Sequence, residues 1–201
     1  KQFGIPVYAD FRNFDIARGG KGAPLIPLFH QFLLCDESKN KLIFNIGGIA
    51  NGTYLKRMEM ELASDVGPGN CLMDEAMRNF GLGLFDKDGA LARSGEINDA
   101  MLKLFIKDLE NLTYPRADDI SIYMNVFKKY ENEILKLDPA DALCTLTELT
   151  AIKIIEFIKA CDQTDELIFH GGGTENKYLM NRIAESVSTQ VKLIDDIAPS
   201  K

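Results

Sequence analysis

Three glycine-rich turns, each closing an apolar strand-like run, constrain this chain more than any other feature. They are NIGGIAN (45–51), DVGPGN (65–70) and HGGGTEN (170–176). A glycine turn at a strand end leaves backbone N–H groups uncovered, and such groups bind anions. It is also the ordinary way for a chain to reverse direction. Three in one chain, two with Asn close behind, bring a nucleotide-binding reading level with the plain-turn reading. None is followed by Gly-Lys-Ser/Thr, so none is a Walker A loop. None has the Gly-x-Gly-x-x-Gly spacing with a downstream ribose acid.

The periodicity around these turns changes along the chain. IPVYADF reads as a short buried strand and ARGGKGAPLIP, with three glycines and two prolines, as a loop. KLIFNIGG, NGTYLKRM and MELASDVG read as three strands whose short spacing favours an antiparallel meander. After Asn70, an N-cap candidate, Leu72, Met73, Ala76, Met77 and Phe80 mark one helix face. A second helical run lies near 98–112, and residues 113–140 suggest a helix between loops. A long helix spans 140–160, ELIFHGGG reads as a strand and turn, a helix follows through Tyr178 to Val187, and VKLID is a last strand. The order predicts an α/β fold with a mixed sheet and helices packed on it.

Composition narrows the function classes. At 201 residues, with 46% hydrophobic and 26% charged, the chain is long enough for one large or two small globular domains. A net charge of −7 without a basic run argues against nucleic acid as a partner. Apolar stretches are broken every few residues by polar ones, so no membrane partner is expected. Cys35, Cys71, Cys144 and Cys161 lack metal-type spacing and suit thiols in a reducing cytoplasm. With only His30 and His170, a Ser-His-Asp triad or multi-histidine metal site is improbable, and the metal-ligand expectation is none. The chain begins with Lys1 rather than Met and carries no signal-peptide pattern, which reads as a piece of something longer.

Asp65 is the acid that calls for explanation. It ends an apolar run beside Gly67 and Gly69, where it could take a proton from water or a hydroxyl next to a phosphate donor. It could equally close an Asx-turn on nearby N–H groups. DKDG (86–89) hints at a calcium loop, but Leu91 stands where the sixth-position glycine belongs, which favours a charged turn. Asp10, Arg12 and Asp15 could bind a polar substrate or form a surface ion-pair cluster.

Taken in order, VYADFRNFDIARGGKGAPLIPLFH, FNIGGIANGTYL, DVGPGNCLMDEAM, FDKDGALARSGEIN, TLTELTA and HGGGTENKYLM resemble the anhydro-N-acetylmuramic acid kinase family. The match runs over most of residues 4–183. The resemblance implies an actin/hexokinase-type (ribonuclease H-like) ATPase fold, with residues 1–40 at the end of the first lobe and the interlobe sugar side. Residues 41–201 would be the nucleotide-binding lobe, incomplete at its C-terminus. It implies a cytoplasmic, ATP- and Mg2+-dependent phosphotransferase of peptidoglycan recycling. Such an enzyme opens 1,6-anhydro-N-acetylmuramic acid, an amino sugar, with water and phosphorylates O6. A homodimer is the assembly the resemblance allows.

By the resemblance, Asp65 is the catalytic base, and Gly67, Gly69 and Asn70 let the chain approach substrate. Gly47 and Gly48 form the second phosphate hairpin, and Gly171, Gly172 and Gly173, with Asn176 behind, form the nucleotide turn. Asp10 and Arg12 lie on the sugar side. The pattern departs in two places. The family's first phosphate hairpin, Gly-Thr-Ser-x-Asp-Gly, has no counterpart here, so the 201 residues alone are expected to be inactive. The family's Lys-Ser-Thr-Gly-Arg-Glu run should fall near PRADDIS (115–121), where Pro115 and Arg116 remain but no Gly-Arg-Glu follows. The alternatives are a non-catalytic nucleotide- or sugar-binding remnant, or a kinase for a related sugar.

Overall fold

The computed structural model describes residues 4–7, 9–20, 22–110 and 113–197. Helices α1 (Phe11–Ile16) and α2 (Pro27–Leu34) precede β1 (Asn40–Ile46), β2 (Ile49–Lys56) and β3 (Glu59–Pro68). Then come α3 (Cys71–Asn79), a 3-10 turn (Lys87–Gly89), α4 (Ala90–Ser94), α5 (Asp99–Asp108), α6 (Ile120–Lys129) and α7 (Glu131–Ile134). The chain continues through α8 (Pro139–Ala160), β4 (Glu166–His170), a second 3-10 turn (Gly172–Glu175), α9 (Lys177–Glu185), β5 (Val191–Leu193) and α10 (Ile194–Ile197).

The strands form one mixed sheet in the order β3-β2-β1-β4-β5. The first three pair antiparallel, and β1, β4 and β5 run parallel. That is the meander followed by helix-strand units expected from the sequence. Strand period 2 divides the residues between two faces. Leu42, Phe44 and Ile46 of β1 and Leu167 and Phe169 of β4 face the main core under α3, α5, α6, α8 and α9. Ile43 and Ile168 face the opposite side with Leu34 of α2 and Leu55 of β2. Phe44 and Phe169 stack at 4.9 Å between centroids, and Phe157 of α8 meets Phe44 edge-on at 5.9 Å. Gly52 is bare because a Cβ there would lie 2.5 Å from the Phe157 ring.

Two expectations change. IPVYADF is not a strand: its described residues carry no regular structure before Phe11, which opens α1, and Ile5 and Val7 are 71% and 87% exposed. Tyr8 lies outside the described residues. A strand needs a neighbour to take its N–H and C=O groups, and among the described residues none pairs there. The last strand is shorter than VKLID, because Ile194 and Asp195 already turn into α10. The helix near 98–112 is observed as Asp99–Asp108, and Leu112 lies outside the described residues. All four cysteines are free thiols, Cys71 and Cys144 buried. Among the described residues no helix is long and apolar enough to cross a membrane.

On the α2 side, His30 is fully buried and joined to His170, at the end of β4, by a 2.8 Å bond between their Nε2 atoms. The Nδ1 atom of His30 lies 2.8 Å from Thr53 Oγ1. One ring presents an N–H and the other a lone pair, and burial disfavours a charge on either. Burial, with the neighbouring His170 adding to it, lowers the pKa of His30 to about 4 from 6.5. Burial lowers His170 as well. Between pH 6.5 and about 4 the unfolded chain binds a proton on His30 that the folded chain refuses, so stability falls as pH falls through that window. The expected loss is roughly 3 kcal/mol. Urea titrations of wild type and His30→Asn should show a stability difference that shrinks as pH falls from neutral toward 4; a difference constant with pH contradicts it.

Candidate functional site

The three glycine turns converge. The β1–β2 turn docks on the start of α3: Gly69 and Cys71 donate N–H bonds to Gly48 O at 3.0 and 3.1 Å, and Asn70 donates to Gly47 O at 2.8 Å. Thr150 Oγ1 of α8 donates to Gly69 O at 3.1 Å and fixes the same turn from the helix side. A Cβ on Gly173 would meet the Ile46 side chain at 2.2 Å and Asn70 Oδ1 at 3.0 Å, so the 171–173 turn closes on both others. Gly171 sits at φ 92, where a side chain would be strained, against Asn45 Oδ1.

These contacts give two of the glycines a packing reason to lack a side chain. At Gly69 a Cβ would lie 2.2 Å from Gly47 O, and at Gly67 it would lie 2.7 Å from Lys153 Cβ of α8. Both are bare so that the protein can close on itself. Asn70 holds the N-cap position of α3 without a side-chain cap bond. Gly172 differs, since nothing lies within 4 Å of a Cβ there. Among the described residues the N–H groups of Gly48 and Gly172 have no acceptor.

Asp65 stands at a kink in β3. The register runs Ala50↔Gly67 and then Asn51↔Asp65, so Val66 is an extra residue, a β-bulge. Bulges re-aim the side chains beside them. The carboxylate is 5% exposed, and its Oδ2 accepts the Asp118 N–H at 2.7 Å. Oδ1 has no hydrogen bond among the described residues and is not among the fully buried unpaired atoms, so it keeps an opening. Burial chiefly raises the Asp65 pKa, against the Asp118 N–H; Asp118's charge adds to the rise, while Arg116 and Arg12 oppose it. Arg12 of α1 therefore lies within electrostatic reach of Asp65.

Among the described residues no ion-pair cluster forms near Asp10 and Asp15. Asp10 Oδ1 takes the Asn13 amide at 2.6 Å, and Asp15 Oδ2 takes the Gly22 N–H at 2.8 Å.

Sequence reasoning passed over two features. Asn51, paired with Asp65 across β2–β3 and so on the same face, is 9% exposed, and its Oδ1 is the one buried side-chain atom without a partner among the described residues. Residues 85–88 form a wall of a cavity of about 490 Å3, lined also by Asn70, Met73, Asp74, Gly172, Glu175 and Asn176. Asp86 is no calcium ligand here: its two oxygens take the N–H groups of Leu91 and Ala92 at 3.0 and 2.9 Å, at the start of α4. Asn176 caps α9 through the Leu179 N–H at 3.0 Å, directs its amide nitrogen to Met73 Sδ at 3.8 Å, and lines the cavity. Asp65 does not line it. Only the shape of the chain, bringing 85–88 against 172–176, reveals this pocket.

The model of the family described as anhydro-N-acetylmuramic acid kinase matches residues 1–198. The chain belongs to that family. An anhydro-N-acetylmuramic acid kinase from gamma-proteobacterium EBAC31A08 is 38% identical over 200 residues, 98% of this chain and 54% of the relative. One from Shewanella amazonensis is 40% identical over 183 residues, 90% of this chain and 50% of the relative. The chain thus spans about half the length of the curated relatives it matches. Among solved structures, the activator of the 2-hydroxyisocaproyl-CoA dehydratase from Clostridium difficile, with bound ADPNP, superposes with a TM-score of 0.50 at 12% identity. The superposition covers 78% of this chain and 54% of that one. The fold is an actin-like ATPase lobe, a five-stranded mixed sheet with flanking helices.

In this member of the kinase family the turn-on-turn docking tolerates no side chain at position 69. Gly69→Ala drives a methyl into the Gly47 carbonyl, backbone that cannot swing away. It should lower unfolding free energy by about 1–3 kcal/mol. Chemical denaturation measures it, and an unchanged midpoint would show that the two turns separate freely.

Proposed function

We propose that this chain is the nucleotide-binding half of an ATP-dependent kinase acting on 1,6-anhydro-N-acetylmuramic acid, in peptidoglycan recycling, with Asp65 as its base. The observation that carries the reading is the divided carboxylate: one oxygen held by the Asp118 N–H, the other open, beside three converging glycine turns. Asp65 Oδ1 takes a proton from water as that water's oxygen bonds to the anomeric carbon. The bond from that carbon to O6 breaks, and O6 takes the γ-phosphoryl group as ADP leaves. The proton remains on Asp65. A carboxylate with raised proton affinity is a better base at neutral pH than an ordinary one.

Physical chemistry divides the nucleotide between two neighbouring regions. The cavity carries Asp74, Asp86, Asp88 and Glu175 against Lys87, a lining that repels a triphosphate and suits a base and ribose with donor groups. The phosphates belong at the open backbone of Gly48 and Gly172, with Gly47, Gly171 and Gly173 shaping those turns. The sugar belongs on the Asp65 side with Arg12 and Asp10, and Gly67, Gly69 and Asn70 form the floor beneath it. Residues 1–40 then serve the sugar side and residues 41–201 the nucleotide lobe. The described residues hold no cluster of three or more His, Cys, Asp or Glu able to bind a metal ion, so they form no cage for Mg2+. The ion expected with ATP would travel on its phosphates.

Asp65→Asn in the full-length protein should lower sugar-dependent ADP release by about 10²–10⁴-fold while ATP affinity holds. A variant that turns over normally refutes the role of Asp65. Absence of sugar-dependent ADP release from the wild type favours a binding remnant, and release with another sugar only favours a related kinase. Because the base works ionised and its pKa is raised, activity should fall as pH falls through a midpoint above the ordinary 3.8. A kcat/KM profile with its acid limb at or below that value contradicts it.

A further inference from the structure

Residues 116–118 fall where the sequence departs from the family pattern, and they run along the outer edge of β3. Asp65 N–H donates to Arg116 O at 3.0 Å, and Arg116 N–H donates to Ser64 Oγ at 2.9 Å. A guanidinium nitrogen of Arg116 donates to Val66 O, the carbonyl of the bulge residue. Its Nε donates to Asp118 Oδ2 at 2.8 Å, and Tyr123 Oη donates to the same oxygen at 2.5 Å. The Arg116 and Asp118 side chains are 10% and 3% exposed, and Tyr123 of α6 is fully buried. The Asp118 N–H then holds Asp65 Oδ2.

We propose that the buried Arg116–Asp118 pair, anchored by Tyr123, is the positioning element for Asp65. It fixes the bulge and the held oxygen so that Oδ1 alone faces the substrate, and its two charges act on the carboxylate in opposite senses. The inference rests on the reading of Asp65 as the base. A buried ion pair is weak evidence of stability in itself, since desolvation offsets its attraction. Retaining one against the end of β3 makes sense if it orients a third group. Asp118 lies close enough to disfavour a charge on Asp65, and Arg116 close enough to favour one. Among the described residues Arg12 from α1 also acts on the carboxylate, Tyr123 from α6 faces Asp118, and Lys153 from α8 packs on the neighbouring Gly67. The Lys153 stem covers Gly67 while its ammonium bonds Glu156 at 2.9 Å.

Opposite charges give opposite signs, which a purely structural role would not. Asp118→Asn keeps the backbone N–H and an acceptor for Tyr123 but removes the anion. Asp65 should then titrate at lower pH, the acid limb of kcat should move down with it, and the kcat plateau should fall about tenfold with KM for ATP unchanged. Arg116→Gln should move both midpoints up. The measurements are kcat against pH in the full-length protein and the 13C carboxyl titration of Asp65. If one variant fails to fold, the sign shown by the other decides. A wild-type Asp65 titrating in the ordinary carboxylate range, variants that shift the same way, or midpoints that do not move overturn the proposal. Those results, with Asp65→Asn still inactive, leave the base in place; an active Asp65→Asn removes the base itself.

Discussion

The site hangs on three amide groups at the start of α3. The first N–H groups of a helix have no partner inside the helix, and here the groups of residues 69, 70 and 71 are answered by two carbonyls of the β1–β2 turn. One small interface therefore satisfies the end of a helix and ties a hairpin to the end of β3. Among the described residues the N–H groups of Gly48 and Gly172 are left without acceptors. At the start of α3 the hairpin takes the Asn70 and Cys71 N–H groups. In the function proposed, anion binding falls to the neighbouring turns, whose orientation that docking sets.

The end of β3 follows from the same constraint. With Gly69 pinned to the hairpin and Gly67 pressed against Lys153, the strand must accommodate one residue too many, and Val66 becomes the bulge. Beside it, Asp65 meets segment 116–118 on the sheet edge instead of another strand. That segment does what a neighbouring strand would do for the backbone and adds an ion pair for the side chain. The threonines of TLTELTA fit the same scheme. Thr150 holds Gly69 O, and Thr147 bonds Leu143 O and reaches Met73 of α3, so α8 secures both the turn and the helix that follows it.

Much of this was legible in the sequence, for identifiable reasons. The meander and the long α8 were readable because local pattern and tertiary structure agree there: period 2 in β1, and Pro139 at the first turn of a helix capped by Asp138. IPVYADF misled because apolar composition describes what a residue avoids, not what it pairs with. The glycine turns were readable as turns, but their division of labour was not. Whether a Cβ would strike Lys153, Gly47 O or open space depends on elements distant in sequence. The hold of Asp118 on Asp65 spans 53 residues and runs through a backbone amide, which leaves no mark on residue type. Asn51 was hidden for a related reason: an unpaired amide oxygen is a property of surroundings.

Charge gives the arrangement its direction. An acidic cavity and a ligand with several phosphates tolerate each other only if the phosphates lie elsewhere, and the glycine turns border that cavity through Asn70 and Gly172. On the proposed reading Asp65 carries a related conflict, because a carboxylate next to a triphosphate is repelled, the more so where burial removes water's screening. Arg12 and Arg116 oppose that repulsion, while Asp118, fixed by Arg116 and Tyr123, keeps the compensation partial. Full neutralisation would leave a carboxylate too weakly basic to draw a proton from water. Without a cation nearby its proton affinity would rise further. A buried pair with one charge of each sign holds Asp65 between those limits, and that balance links the sheet edge to the chemistry proposed for it.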